Sequence, residues 1–246
     1  QPTPLNQTFL SPAATPNPSP AVSYPMNGTL HLPPAESLQA GEVDPLFYFI
    51  LYVSAFFFFL VTLGTLWFAW RYRNKNNQMR LTSGHTHNNV IETIWTVIPT
   101  ILVIVIFFWG WKVFLSLNLA PAYAEEISVR AVQWKWQFNY PNGAQSEHLV
   151  VPVGKPVRLT MTSGDVLHSL FIPDFRVKMD VVPNRYTSLW FQATNVGEYD
   201  LFCTEYCGLQ HSKMLSRVEV KSTSDYEKWL GEQVKDLPPI ELGQKA

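Results

Sequence analysis

The chain is poor in charge, in sulfur and in excess basic residues. Charged residues make up 15% of its 246 positions and the formal net charge is −1. That excludes the cationic surface on which nucleic-acid binding depends. Only two cysteines occur, Cys203 and Cys207, which excludes a disulfide-rich scaffold. There is no C-x-x-C-H, so the chain carries no haem c of its own. Residues 1–45 hold no Lys or Arg, and the start lacks the basic-then-apolar pattern of a signal peptide. The first residue is Gln1 rather than Met, so a leader is expected to have been removed.

What is present falls into four zones. Residues 1–45 contain ten of the nineteen prolines with many Ser, Thr and Asn, and read as an irregular extension. From Leu46 to Trp70 run 25 residues without a charge, enough helix to cross a hydrocarbon core of roughly 30 Å. A second uncharged run, Thr93–Trp111, continues past Lys112, whose stem can reach the interface. The two helices are expected over about 46–70 and 92–117, with Pro99 bending the second. Between them, in a loop at 71–91, stand Arg71, Arg73, Lys75 and Arg80 without an acid, whereas Glu36, Glu42 and Asp44 precede the first helix. This asymmetry predicts a cytoplasmic loop with both chain ends outside.

Beyond Pro121 the pattern changes to short alternating stretches divided by turns. VQWKWQFNY (132–140) reads as one strand with Val132, Trp134, Trp136, Phe138 and Tyr140 on one face, followed by a PNG turn. PVRLTMTS (156–163), EYDLFC (198–203) and MLSRVEVK (214–221) read as further strands, so residues 121–222 form a β-sandwich or barrel. Ser224 and Glu227 have capping-box spacing and predict a C-terminal helix within 223–246. The fold class is α+β: a two-helix transmembrane hairpin, an all-β domain and a short terminal helix.

Residues 203–214 read CTEYCGLQHSKM and raise the question of chemistry. A disulfide, a zinc site and a copper site are all open for two cysteines near a histidine in an oxidising compartment. His211 and Met214 follow the cysteines, and His168 begins the stretch after the turn SGDVL. A thioether suits copper rather than zinc, and a second thiolate can bridge two copper ions.

The set His168, Cys203, Glu205, Cys207, His211 and Met214 resembles the binuclear copper A site of cytochrome c oxidase subunit II, over roughly residues 45–230. The resemblance implies a cupredoxin-like, Greek-key domain and two copper ions bridged by both cysteines. It gives one histidine to each ion, with Met214 and the Glu205 carbonyl as weak ligands. It further implies a magnesium ion shared between the Glu205 carboxylate and subunit I. Trp134 would be the residue at which electrons arrive, although by itself the aromatic stripe reads as core packing. Glu92 would lie at the mouth of a proton channel in subunit I, and a helix-dipole role is compatible with that. Lys178, Asp180 and Arg185 resemble a segment facing subunit I.

The implied function is electron transfer from cytochrome c to haem in subunit I, where oxygen reduction drives proton pumping. The implied partners are subunit I, further oxidase subunits and a separate c-type donor. The implied location is a bacterial inner membrane with the copper domain periplasmic, or alternatively the mitochondrial inner membrane. Two other readings remain: a membrane-anchored copper carrier or assembly factor, and a quinol oxidase subunit II, whose relatives generally lack the copper ligands. The charge balance departs from the family pattern. Residues 121–221 carry ten acidic and ten basic side chains, and no acid follows Trp134 until Glu147. Steering of a strongly basic donor is therefore expected to be weak.

Overall fold

A computed structural model describes residues 28–74 and 84–235. Most of the Pro-rich extension, the loop cations Lys75 and Arg80, and the tail beyond Lys235 lie outside the described residues.

Helix α1 spans Leu38–Arg71 and α2 spans Asn89–Asn118, and both are long and apolar enough to cross a membrane. They leave large apolar side chains such as Phe56, Phe59, Trp67, Phe107 and Phe108 exposed, as lipid-facing or subunit-facing helices do. Pro99 lies inside α2, which is continuous across it.

Helix α1 begins at Leu38, earlier than the expected start near 46. At 1.5 Å per residue it is about 51 Å long, well beyond the roughly 30 Å of hydrocarbon. Its first turns therefore do other work. Ser37 caps the helix by accepting from the Ala40 N–H and donates to the Phe175 carbonyl at 2.9 Å. Glu36, Ser37 and Gln39 are buried, and Gln39 Oε1 accepts from the Gln192 N–H at 3.1 Å. Asp44 receives two bonds from the Arg176 guanidinium, at 2.9 and 3.0 Å. The end of α2 is tied as well, because the Trp190 indole donates to the Ser116 carbonyl at 2.9 Å. Residues 33–45 are thus a junction and not an irregular extension. Composition hid this because the polar groups are satisfied by distant residues.

The β domain is a two-sheet sandwich. Its strands are β1 Glu125–Val132, β2 Lys135–Asn139, β3 Gln145–Ser146, β4 Leu149–Pro152, β5 Pro156–Ser163, β6 His168–Ile172, β7 Val177–Val181, β8 Thr187–Gln192, β9 Gly197–Cys203 and β10 Leu215–Lys221. One sheet has the order β3-β2-β1-β5-β8 and the other β4-β10-β9-β6-β7. Pairs β1–β5 and β4–β10 are parallel, so the chain crosses between sheets rather than meandering within one. Trp136, Phe138, Leu159, Phe175, Phe191 and Leu201 fill the space between the sheets. Burying side chains of this size contributes roughly 1.5–3 kcal/mol each. The Tyr140 hydroxyl joins the sheets by donating to the Val150 carbonyl and accepting from the Val150 N–H.

The stretch expected as one strand at 132–140 is two. Gln133 and Trp134 form a tight turn, and the register Val132↔Lys135 to Ser128↔Asn139 folds β2 back along β1. Trp136 and Phe138 face the core, and the half-buried Trp134 packs against it from the turn. The reversal also changes face, since Ala131 pairs with Trp136 and Val132 with Lys135, which puts Val132 on the outward face rather than beside Trp136. Periodicity alone cannot register such a change.

Helix α3 spans Thr223–Lys235, and its cap is Ser222 rather than Ser224. The Ser222 hydroxyl accepts from the Asp225 N–H, and the Ser222 carbonyl accepts from the Tyr226 N–H. Trp229 of this helix meets the Tyr140 ring edge-on and stacks on Tyr226, closing the core at that edge.

Candidate metal centre

Strands β6, β9 and β10 are neighbours, and their ends converge. His168 opens β6, Cys203 closes β9, and Met214 immediately precedes β10. Register does the positioning: Leu170 pairs with Cys203, the Thr204 N–H donates to the Ser169 carbonyl, and the Cys203 N–H donates to the Met214 carbonyl. The 204–214 loop returns through a short 3-10 turn at His211–Lys213.

Cys207 Sγ lies at the middle of the cluster. It is 3.8 Å from Cys203 Sγ, 3.5 Å from His211 Nδ1 and 3.8 Å from Met214 Sδ. Cys203 Sγ is 3.9 Å from His168 Nδ1 and 3.4 Å from the Glu205 carbonyl oxygen. All six residues singled out in the loop and at His168 therefore meet in one place. The ligand atoms of His168, Cys203 and Cys207 lie within 4.8 Å of one another. The sulfur–sulfur separation far exceeds the roughly 2.05 Å of a disulfide and leaves space for an ion.

The surroundings are dry and orienting. His168, Met214 and Cys207 are almost completely buried. His168 Nε2 is 2.9 Å from Asp165 Oδ1, which turns Nδ1 toward the sulfurs. Burial pushes the Asp165 carboxyl upward, but the bonds from His168 and from the Gln133 and Val166 N–H groups outweigh it and hold it below its ordinary value. The Cys207 thiol is pushed up to about 12, first by burial and then by the charge and hydrogen bond of Cys203. Metal binding must therefore expel the proton from Cys207. Two thiols, two imidazoles, a thioether and a carbonyl form a soft donor set that fits copper.

Trp134 joins the site through its turn. Gln133 donates from its backbone N–H to Asp165 Oδ2 at 2.6 Å, and from its side-chain amide to the Cys207 carbonyl at 2.8 Å. The indole lies over Gly208, which has φ 116°; a Cβ there would fall 2.9 Å from Gln133 Nε2 and 3.4 Å from Trp134 Cζ2. Glycine is thus required beside Cys207 by both conformation and space. Sequence reasoning missed Gln133 and Asp165, although Asp165 stands three residues before His168 and Gln133 adjoins Trp134.

Glu92 is remote from this cluster. It lies in the first turn of α2, where its carboxylate accepts from the Asn88 N–H at 3.1 Å while Asn88 Oδ1 caps the Val90 and Ile91 N–H groups. Lys178 and Asp180 pair at 3.6 Å on β7.

Residues 25–113 match the family described as cytochrome c oxidase subunit II, transmembrane domain, and residues 143–221 match its periplasmic domain. A probable cytochrome c oxidase subunit 2 of Rickettsia conorii is 30% identical over 82% of this chain and 71% of that protein. The chain belongs to the cytochrome c oxidase subunit II family. The subunit 2 of Cereibacter sphaeroides is 28% identical over 85% of this chain and 82% of its own length. The solved periplasmic domain of subunit II from Bradyrhizobium japonicum has 27% identity and a TM-score of 0.47, covering 49% of this chain and all of that one. As a cytochrome c oxidase subunit II, the chain is part of a haem–copper oxidoreductase. It is an inner-membrane protein with two spans, and its His–Cys cluster fits a copper centre.

Proposed function

We propose that this subunit II receives electrons from a c-type cytochrome at Trp134 and delivers them to haem in subunit I, where oxygen reduction is coupled to proton pumping. Two copper ions are the proposed cofactor, held by His168, Cys203, the Glu205 carbonyl, Cys207, His211 and Met214. Copper bound by these residues would supply a one-electron couple. The observation that carries this reading is the central position of Cys207 Sγ, within 3.8 Å of Cys203, His211 and Met214 together.

The chain's own residues supply rigidity and dryness. Strand ends fix His168, Cys203 and Met214, Asp165 orients His168, and burial excludes water, so little rearranges when charge enters or leaves. Gln133 ties the Trp134 turn to the Cys207 carbonyl, which supports Trp134 as the donor-side contact. A carrier must release its metal, and a buried, strand-fixed ligand set disfavours that reading. A quinol oxidase subunit would have no use for the complete ligand set.

Three finer assignments complete the proposal. The half-buried Glu205 carboxylate binds magnesium shared with subunit I. Glu92 gathers protons at the cytoplasmic start of α2. The copper domain faces the periplasm of a bacterial cell, consistent with the cations that follow α1.

The deciding experiment measures copper content and the electron paramagnetic spectrum of the full chain in its complex. Two coppers per chain sharing one unpaired electron are expected. One copper per chain, or zinc alone, overturns the binuclear reading. Cys207→Ser should abolish the shared signal, whereas Met214→Leu should keep both ions and shift the potential.

A further inference from the structure

The two histidines of the cluster are held very differently. His168 is fully buried on a strand, its Nε2 lies 2.9 Å from Asp165 Oδ1, and its ring meets Trp136 edge-on. His211 is only half-buried and opens a single 3-10 turn. Among the described residues its side chain makes one polar contact, the approach of Nδ1 to Cys207 Sγ at 3.5 Å. No carboxylate or carbonyl of those residues holds its Nε2. An imidazole without such a partner is free to turn, and partners of this kind are worth roughly 10–100-fold in metal affinity.

What stands beside His211 is Tyr206. The ring centroids are 5.7 Å apart and the planes are inclined by 58°, within the range over which aromatic rings attract. Tyr206 is 75% exposed, so it is not a core residue that happens to touch the site. Its hydroxyl makes no hydrogen bond among the described residues, so the contact belongs to the ring. An exposed ring restrains its neighbour only if its own backbone is fixed, and here both flanks are tied to the site. The Glu205 carbonyl lies 3.4 Å from Cys203 Sγ, and the Cys207 carbonyl accepts from Gln133 Nε2 at 2.8 Å. Tyr206 thus sits on an anchored segment between the two cysteines.

We propose that Tyr206 is the positioning residue of His211: its ring restrains the imidazole and shields it from water, the part that Asp165 and burial play for His168. This rests on the copper reading of the cluster and assigns a role within it. One histidine is held by a bond to a carboxylate behind a buried ring, the other by a ring contact at the surface. The two halves of the centre are therefore unequal, and the His211 half is the looser one.

The test uses the purified full chain in its oxidase complex, with Tyr206→Ala and Tyr206→Phe. It reads the rate of copper loss to a chelator, the midpoint potential of the copper centre, and the nitrogen couplings of its histidine ligands by pulsed electron paramagnetic resonance. Tyr206→Ala should lose copper about two- to tenfold faster, the worth of one aromatic pair. It should also shift the potential and alter one histidine coupling while leaving the other in place. Asp165→Asn should alter the other coupling, which assigns the two signals. Tyr206→Phe keeps the ring and should match the unaltered chain in every readout. If Tyr206→Ala takes up no copper while Tyr206→Phe does, the ring is required and the proposal stands. Unchanged couplings and potential in Tyr206→Ala, equal changes at both histidines, or a Phe variant as impaired as the Ala one would each overturn it. Metal content of the unaltered complex judges the separate question. One copper instead of two sinks the binuclear reading, while the rate of metal loss still reports on Tyr206.

Discussion

The side-chain amide of Gln133 donates to the Cys207 carbonyl at 2.8 Å, so the turn that carries Trp134 is bonded to the residue at the centre of the metal site. Nothing in the β1–β2 ladder demands this contact, since the ladder ends at Val132 and Lys135. It fixes the distance between a half-buried indole and a buried sulfur. Gln133→Ala should therefore leave copper content unchanged while lowering turnover with the cytochrome, by about fivefold for a bond of about 1 kcal/mol. Stopped-flow reduction by cytochrome measures it, and an unchanged rate would show the clamp to be dispensable.

Asp165→Asn removes the charge that orients His168. Outer partners of this kind are worth roughly 10–100-fold in metal affinity, so copper should be lost to a competing chelator at correspondingly lower chelator concentration. Asp165→Glu should restore part of the affinity, because the carboxylate survives in a longer side chain.

Arg176 binds Asp44 with two bonds and also donates to the Pro33, Pro34 and Pro173 carbonyls. Arg176→Ala leaves those acceptors and a largely buried carboxylate without their cation, a loss of about 3–5 kcal/mol. The β domain should then be cleaved from the membrane hairpin by protease far sooner than in the unaltered chain, with its copper spectrum intact. Equal protease resistance would show that the junction does not depend on Arg176.

Asp174 is buried at the same junction. Burial, and secondarily Asp200 and Glu36, raise its carboxyl, against its own backbone N–H and Arg176, which lower it. A carboxyl raised on folding favours the native state while protonated, and that contribution fades as pH rises through its folded value. Thermal stability should therefore decline as pH climbs out of the carboxylate range, and Asp174→Asn should flatten that limb. An identical profile in the variant would assign the slope to other groups.

The two spans and the strand-rich domain were legible because hydropathy and alternation are local signals. A run of 25 uncharged residues, or a stretch such as PVRLTMTS, specifies its secondary structure within its own length. The copper ligands were legible for a different reason, since five of the six fall within twelve consecutive positions. Only His168 had to be recruited from a distance. The Trp134 turn was not legible, because Val132 to Tyr140 alternates without a break in the sequence, whereas the reversal at Gln133 and Trp134 puts Val132 on the face opposite Trp136. Residues 33–45 misled for a related reason: Pro and polar side chains signal disorder only when nothing distant satisfies them.

By itself, then, the sequence determined which atoms are available: two thiols, two imidazoles, a thioether, two membrane spans and a chain rich in short strands. Tertiary structure decided their arrangement. It brought β6 beside β9 so that His168 meets Cys203, bonded Gln133 both to Asp165 and to the Cys207 carbonyl, and docked the start of α1 into the β domain. These contacts join residues from about 30 to more than 150 positions apart. Their energies exist only once the sheets have paired, and no local pattern in the chain can announce them.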